Sequence, residues 1–491
     1  MTDAEFAEEF SVYFPPGESI SVLTEAEFAE VSAVTATAAE TSSTQPSPAQ
    51  STSAHRPSSS EPSALYRKLR PHPSSGSHDE IVSSQRARLY GGMIEAVSQR
   101  GYQATTVAHV IELAGVSRRA FYELFSNKEQ CFLATYDIVV ARARKVALDA
   151  WIHERGWANR LHAACKALLD DVAENPKGPH LVLVDALGVG PSARKRMQLA
   201  NLTFERLVGS AFQMAPDGVG FPRLMSRAIV GGVRNVVFTR MLDHRERELY
   251  AMTDGVLDWI ECYRIPAAAR LGVPAIAPHG HQPPTPAAFL ARGDERARVL
   301  GSVVHLTLDV GYSHLTDPQI AQFAGVPTEA FHKQFASKEE CFLAVLDEFV
   351  REALDTVSGS FDEVDSWPEG VYRAMATFVE YLVAHEALLR IAFIDLFEVG
   401  PGMVGRMTRS VEGFTKFLTE HGPAPRHGQD VALEAITGAL WAIISGYVAG
   451  GRLARLPYLV DHLTFTVLAP YVGPKVAVES IYAARGPLRS D

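Results

Sequence analysis

A long internal repeat at a fixed spacing of 210 residues constrains this chain of 491 residues more than any other feature. Residues 101–134 align with residues 311–344 without a gap, and 15 of the 34 positions are identical. Further along, at a spacing of 207, AIVGG (228–232) matches AITGA (435–439). A register kept over this distance indicates a tandem duplication of one unit of roughly 200 residues.

The hydrophobic pattern of the two repeated stretches is helical. Apolar residues recur at spacings of three and four in residues 158–172, 223–241 and 431–448, whereas strict alternation is scarce. No run of 18 uninterrupted apolar residues predicts a membrane span. The four cysteines have no close spacing, which is typical of reduced thiols in a cytoplasmic protein. We therefore predict an all-α protein.

A helix-turn-helix pattern lies inside the first repeat. A first helix is expected to end at Gly101, and Thr106 stands where the N-cap of a second helix belongs. Gly115 supplies the turn, and Ser117 caps a third helix, SRRAFYELF. Such a third helix fits the DNA major groove. Ser126 is expected to cap a fourth helix in a capping box with Glu129.

The outer face of the third helix is polar and basic. Phe121 and Phe125 are spaced to point inward. The residues left outside are Ser117, Arg118, Arg119 and Tyr122. Two structural alternatives stay open: the arginines form a solvated surface pair, or the tyrosine packs half-buried against the first helix.

The segment GYQATTVAHVIELAGVSRRAFYELFSNKEQCF resembles the tetracycline-repressor (TetR/AcrR) family of bacterial transcription regulators. This resemblance implies a three-helix DNA-binding head and a larger helical domain that binds a small effector and dimerises through its last two helices. Thr106, Tyr122 and Lys128 would touch phosphates, and Ser117, Arg118 and Arg119 would approach bases. The full set of expected DNA-binding residues is Thr105, Thr106, Ser117, Arg118, Arg119, Tyr122 and Lys128.

The second repeat keeps the core positions of the head but loses its positive charge. Residues 81–145 contain nine Lys and Arg against five Asp and Glu, whereas residues 291–355 contain six against eleven. Positions 117–119 (Ser-Arg-Arg) become Pro-Thr-Glu at 327–329. Carboxylates oppose the electrostatic attraction that dominates DNA affinity. We predict a second, degenerate head that does not bind an operator, although Lys333 and Lys338 keep the other option open.

Two apolar runs, one in each repeat, contain an aspartate. Asp185 lies in LVLVDAL and Asp395 in IAFIDLF, where an ionised carboxylate needs a partner. A structural, hydrogen-bonded aspartate and a ligand-facing aspartate both fit this pattern.

Composition breaks and the resemblance together predict the domain organisation. Residues 1–40 hold nine acidic residues without Lys or Arg, and the Ser/Thr/Pro-rich stretch that follows favours disorder. The predicted regions are a disordered tail (1–78), a helix-turn-helix head (79–145), a helical regulatory domain (146–264), a proline-rich linker (265–292), a degenerate head (293–355), a second regulatory domain (356–475) and a C-terminal tail (476–491).

The function expected from these features is sequence-specific DNA binding that regulates transcription, as a repressor released by a small-molecule effector. The alternative is a ligand-binding or adaptor protein with a vestigial head. The net charge of −11 excludes a protein that coats nucleic acid by bulk charge. No catalytic motif is found, and no cofactor or metal is expected. The expected partners are double-stranded DNA and an unidentified small-molecule effector. The chain is also expected to form an intramolecular pseudo-dimer or a homodimer. It is expected in the cytoplasm, associated with the nucleoid, and not to bind a membrane.

Overall fold

Helices make up almost all of the structure where the computed structural model describes it. The described residues are 78–215, 219–220, 222–266, 271, 287–361, 364–399 and 401–485. Within them, the extended structure is one antiparallel pair of two-residue strands, β1 (Val219–Gly220) and β2 (Ile265–Pro266). The all-α prediction is confirmed. The predicted N-terminal tail, apart from its last residue, and most of the predicted linker lie outside the described residues.

The first head consists of four helices and the turn that joins two of them. Its helices are α1 (His78–Ala104), α2 (Val107–Ala114), α3 (Arg118–Leu124) and α4 (Lys128–His153). Gly101, at a φ of 71°, breaks α1 at the predicted position, although helical structure resumes as far as Ala104. Gly115 ends α2 in the left-handed region, at a φ of 61°. This conformation suits glycine and supplies the predicted turn.

The start of α4 differs from the prediction. Asn127, not Ser126, is the N-cap, and its side chain accepts a hydrogen bond from the N–H of Gln130 at 2.8 Å. The Ser126 hydroxyl and N–H both donate to the Gln130 side chain instead. Ser and Asn are both good N-caps, so two neighbouring residues of these types leave the first residue of the helix undetermined by the sequence.

The first helical body follows directly. Its elements are α5 (Trp157–Glu174), α6 (Lys177–Leu183), a 3₁₀ turn (Asp185–Gly188), α7 (Pro191–Gln213), α8 (Arg223–Leu242), a 3₁₀ turn (Glu246–Ala251) and α9 (Thr253–Glu261).

A second series of helices begins after the linker. Its head contains α10 (Ala288–Ala291), α11 (Glu295–Val310), a 3₁₀ turn (Tyr312–His314), α12 (Asp317–Ala324), α13 (Thr328–Gln334) and α14 (Lys338–Phe361). Its body contains α15 (Trp367–Ala384), α16 (Glu386–Arg390), a π-helical turn (Ile391–Asp395), α17 (Leu396–Val399), α18 (Pro401–Glu420), α19 (Ala432–Ala449), a 3₁₀ turn (Leu453–Leu459), α20 (Val460–Val472) and α21 (Pro474–Arg485).

Helix α21 occupies most of the region predicted to be a C-terminal tail, so that prediction is wrong up to Arg485. Ala477, Val478 and Ile481 are buried. Their spacing of one and four residues places them on one helix face, which packs against α20 and α15. The short length of this apolar pattern hid it from the sequence reading.

Three pairs of helices in the two series begin and end at the repeat spacing. Helices α2, α3 and α5 lie 210 residues before α12, α13 and α15. One contact also recurs: the indole of Trp157 donates to the carbonyl of Ala211 at 2.6 Å, and that of Trp367 donates to the carbonyl of Leu418 at 2.8 Å. This bond ties the start of α5 to the end of α7 in the first series, and the start of α15 to the end of α18 in the second.

The two series pack on each other mainly through α8 and α19, which cross in an antiparallel sense. The contact continues next to these helices, where the Tyr263 hydroxyl donates to the carbonyl of Thr466 at 2.9 Å and the Asp258 carboxylate accepts the N–H of Gly428 at 2.8 Å. In the described ranges, α19 is the one helix long and apolar enough to cross a membrane, and 61% of that window is buried inside the protein.

Candidate nucleic-acid interface

Helix α3 is anchored on its inner face and capped at its start. The rings of Phe121 and Phe125 are buried, with centroids 5.9 Å apart. Ser117 is the N-cap, and its hydroxyl accepts the N–H of Ala120 at 3.2 Å. The first two helical residues are therefore held at a defined place on the surface of the first head.

Those two residues are Arg118 and Arg119, and both are exposed. The guanidinium of Arg118 lies 5.7 Å from the ring centroid of Tyr122. Tyr122 is itself 48% exposed, and its ring packs edge-on against Phe121. The outer face of α3 thus presents two cations and one aromatic hydroxyl to solvent, as predicted.

A carboxylate that the sequence reading overlooked also lies on this face. The Nε of Arg119 donates to Oε1 of Glu123 at 2.9 Å, and the two side chains are 90% and 60% exposed. The spacing of four residues on a helix is the signal that could have found this pair. Glu123 places a negative charge within the basic face.

A second residue that the sequence reading overlooked supports the turn between α2 and α3. Nη1 of Arg88 on α1 donates to the carbonyl of Gly115 at 3.0 Å. This bond ties α1 to the turn that precedes α3.

Thr106 lies at the exposed N-terminus of α2. Its hydroxyl accepts the N–H of His109, and the His109 side chain accepts the N–H of Thr106, both at 3.3 Å. This reciprocal cap fixes the start of α2 and leaves the threonine on the surface, where its expected phosphate contact can be tested.

Thr105 does not lie on that surface. It is 1% exposed, and its hydroxyl donates to the carbonyl of Gly101 at 2.8 Å. The prediction that Thr105 binds DNA is therefore corrected: its side chain stabilises the break at the end of α1 and cannot reach a duplex. The side chain of a threonine next to an N-cap can point into the core or toward solvent. Packing within the head determines that Thr105 points into the core.

Lys128 is half-buried and has partners inside the head. Its Nζ donates to the carbonyl of Tyr102 at 2.8 Å and lies 4.0 Å from the centroid of that ring. Burial lowers the pKa of Lys128. In the second head, Nζ of Lys338 likewise donates to the carbonyl of Tyr312, at 3.3 Å, and lies 4.6 Å from its ring. The recurrence of this contact in a head with an acidic surface assigns the lysine a role in folding; its phosphate contact stays a prediction.

The outer face of α13 has a different chemistry. Pro327 precedes it and offers no side-chain cap, while Glu329, His332 and Lys333 are exposed. Nε2 of His332 lies 3.8 Å from Oδ2 of Asp317. The difference in charge between α3 and α13 therefore lies on the exposed face, while Phe331 and Phe335 keep the inner face buried.

The aspartates of the two apolar runs have basic partners five residues earlier. Nδ1 of His180 lies 2.8 Å from Oδ2 of Asp185, and Nε of Arg390 lies 3.8 Å from Oδ2 of Asp395. Burial raises the pKa of Asp395 to about 6. The bond to His180 favours the structural interpretation for Asp185, whereas Oδ2 of Asp395 is buried and has no hydrogen-bond partner in the part of the chain that the structure describes. Within the described ranges, no three His, Cys, Asp or Glu side chains are grouped to hold a metal ion.

Comparison with known proteins places a family match on the first head. Residues 94–135 match the family model for bacterial regulatory proteins of the tetR family. No curated protein matches this chain.

Similar solved structures cover about a third of the chain. They include the fatty acid degradation regulator FadR from Bacillus halodurans, at 17% identity over 36% of this chain and 96% of that one, with a TM-score of 0.32. FadR from Bacillus subtilis in complex with stearoyl-CoA is 14% identical over 35% and 96%, with a TM-score of 0.33. A TetR family regulator from Marinobacter aquaeolei VT8 is 18% identical over 36% and 96%, with a TM-score of 0.30.

Proposed function

We propose that this protein, whose residues 94–135 match the model for bacterial regulatory proteins of the tetR family, is a transcriptional regulator that reads a specific DNA sequence through α3. The observation that carries the proposal is the exposure of Arg118 and Arg119 on the first turn of a capped, anchored helix. Arginine bonding to guanine is the commonest specific contact in the major groove.

The proposed DNA-binding surface consists of the residues that face outward around this turn. Its members are Thr106, Ser117, Arg118, Arg119 and Tyr122. Lys128, at the start of α4, belongs to the proposed surface as a phosphate contact that forms when its Nζ exchanges the carbonyl of Tyr102 for a phosphate oxygen. The residues that hold this surface in place are Phe121 and Phe125 beneath it.

The finer proposal is repression that a small effector relieves. The contacts between head and body support a mechanical link: Nε2 of Gln103 on α1 donates to the carbonyl of Gly188 at 2.8 Å, and Nζ of Lys177 on α6 lies 2.6 Å from Glu95 on α1. An effector that shifts α6 and its following turn would therefore move the head. Coupling energies between such sites are typically about 1–3 kcal/mol.

The duplication and the domain boundaries belong to the same proposal. The common offset of the two helix series supports one ancestral unit repeated at residues 79–264 and 293–475, and the packing of α8 on α19 supports an intramolecular pseudo-dimer in place of a homodimer. In this arrangement one chain presents one basic and one acidic head. The second head would support the architecture without reading DNA, in a cytoplasmic, nucleoid-associated protein.

DNA binding is tested with the full chain against random duplexes and against its own upstream DNA. Replacing Arg118 and Arg119 by alanine should weaken specific binding by about 1–3 kcal/mol for each lost base contact. The matched control replaces Arg155 and Arg247, which are exposed and lie outside the head, and should leave affinity unchanged. A wild-type chain without a salt-sensitive shift, or a shift that ignores Arg118 and Arg119, would favour the adaptor alternative.

Solution mass tests the pseudo-dimer. We expect a free chain of 53.5 kDa by light scattering. Twice that mass in the absence of DNA would support the homodimer instead. Adding operator DNA then separates one chain per site from two.

A further inference from the structure

We propose that Glu123 is a specificity-determining residue of α3. Its carboxylate orients the Arg119 guanidinium toward one base edge and weakens binding to other DNA sequences. This inference rests on the proposed DNA-binding function and names how that site discriminates. It concerns a carboxylate within hydrogen-bond distance of a base-reading arginine.

The geometry leaves the useful end of Arg119 free. Glu123 accepts from Nε at 2.9 Å. A guanidinium carries five N–H donors in a fixed plane, so the two terminal amino groups stay available when Nε is bonded. Two such parallel donors match O6 and N7 of guanine. The pair therefore orients an arginine that, at 90% exposure, has no other restraint from packing.

A role in folding does not account for this pair. Ion pairs this exposed, four residues apart on a helix, contribute only about 0.3–0.5 kcal/mol. Their order also matters, because an acidic residue is favoured nearer the helix N-terminus and a basic residue nearer the C-terminus. Arg119 and Glu123 have the unfavourable order.

The second head provides an internal comparison. The positions equivalent to Arg119 and Glu123 are Glu329 and Lys333, which have the opposite charges and the order that suits a helix. The head that keeps its arginine at the base-reading position also keeps a carboxylate that opposes nearby phosphates. Such a charge repels the phosphates of every duplex and so weakens binding to all of them. The bond of Arg119 to its base offsets this loss only on the correct sequence, so the difference in affinity between correct and other sequences increases.

The test compares two duplexes of equal length at one salt concentration: the operator selected from random DNA, and a scrambled version of it. In Glu123→Gln, we expect tighter binding to the scrambled duplex, a fall of about five- to tenfold in the ratio of affinities, and a weaker preference at the base pair that Arg119 reads. The control Glu112→Gln removes the same charge from an exposed site on α2. It should change both affinities alike and leave the ratio unchanged.

A double-mutant cycle separates orientation from charge alone. In an Arg119→Ala background, Glu123→Gln should no longer alter the base preference. A ratio unchanged by Glu123→Gln, or the same base-preference change with and without Arg119, would overturn the inference while leaving DNA binding intact. Absence of DNA binding by the wild-type chain would instead overturn the proposed function, and this inference with it.

Discussion

Gly231 and Gly438 lie backbone to backbone where α8 crosses α19. A Cβ added to Gly438 would lie 2.5 Å from the carbonyl oxygen of Gly231, and one added to Gly231 would lie 2.7 Å from that of Gly438. The neighbouring contacts have the same symmetry: the Cβ of Ala442 lies against Gly231, and the Cβ of Asn235 lies against Gly438. Both pairs of equivalents are 207 residues apart. A contact that maps onto itself when the halves are exchanged is the mark of an isologous interface, which supports the proposed pseudo-dimer.

Gly438→Ala should destabilise the protein because the added methyl group meets backbone and a Cβ within 2.5 Å. Overpacking of this kind costs about 1–3 kcal/mol. The control is Gly413→Ala on the exposed face of α18, where nothing lies within 4 Å of an added Cβ and alanine should be neutral or stabilising. Urea unfolding followed by circular dichroism measures both, and equal effects of the two substitutions would contradict the packing.

Arg240→Met should weaken the same interface through charge. Arg240 is buried on α8 and is paired with Glu434 on α19, which also accepts from the Thr239 hydroxyl at 3.2 Å. Removing the guanidinium leaves a mostly covered carboxylate without its cation, at a cost of about 2–3 kcal/mol given the remaining exposure of Glu434. The double variant Arg240→Met/Glu434→Met should recover part of this loss in the same unfolding measurement. A double variant less stable than Arg240→Met alone would contradict the proposed cost of leaving the Glu434 carboxylate without its cation.

Lys128→Met and Lys338→Met should each lower the melting temperature, since each removes a bond to a tyrosine carbonyl. The expected loss is about 1 kcal/mol for each bond. It is larger for Lys338→Met, because Nζ of Lys338 also donates to the carbonyl of Leu315 at 2.9 Å. Lys338→Met should leave DNA affinity unchanged. For Lys128→Met, the dependence of affinity on salt decides the remaining question: a slope reduced by about one would add a phosphate contact, and an unchanged slope would leave the lysine with its folding role alone.

Asp461 should make stability fall as the pH rises. This carboxylate is fully buried on α20, with the Arg485 guanidinium of α21 at 3.3 Å, and burial raises the pKa of Asp461 to about 6. The folded state therefore holds the proton more tightly than the unfolded chain, so the stability present below pH 4 is lost as the pH rises through 6. Between pH 5 and 7.5 the wild type should lose about 1 kcal/mol more than Asp461→Asn. Parallel pH profiles in urea unfolding would contradict this.

Local signals predicted the recognition helix well. Thr106, Gly115 and Ser117 lie where caps and turns require them, and the inward spacing of Phe121 and Phe125 was visible along the chain. These features depend on neighbours within a few residues, where backbone geometry and hydrogen-bonding capacity already decide the conformation. The exposed arginines followed from the same reasoning.

Other features depended on atoms distant in the chain. The burial of Thr105, the bond from Lys128 to Tyr102 and the covering of Asp461 by α21 are settled by which surfaces meet after folding. The amino-acid order by itself determined the repeat, the helical class and the charge of each head, because these are properties of periodicity and composition. Only the tertiary structure decided that α8 meets α19 and which polar groups lose solvent, since burial is set by packing between residues that lie from 24 to 203 positions apart in the chain.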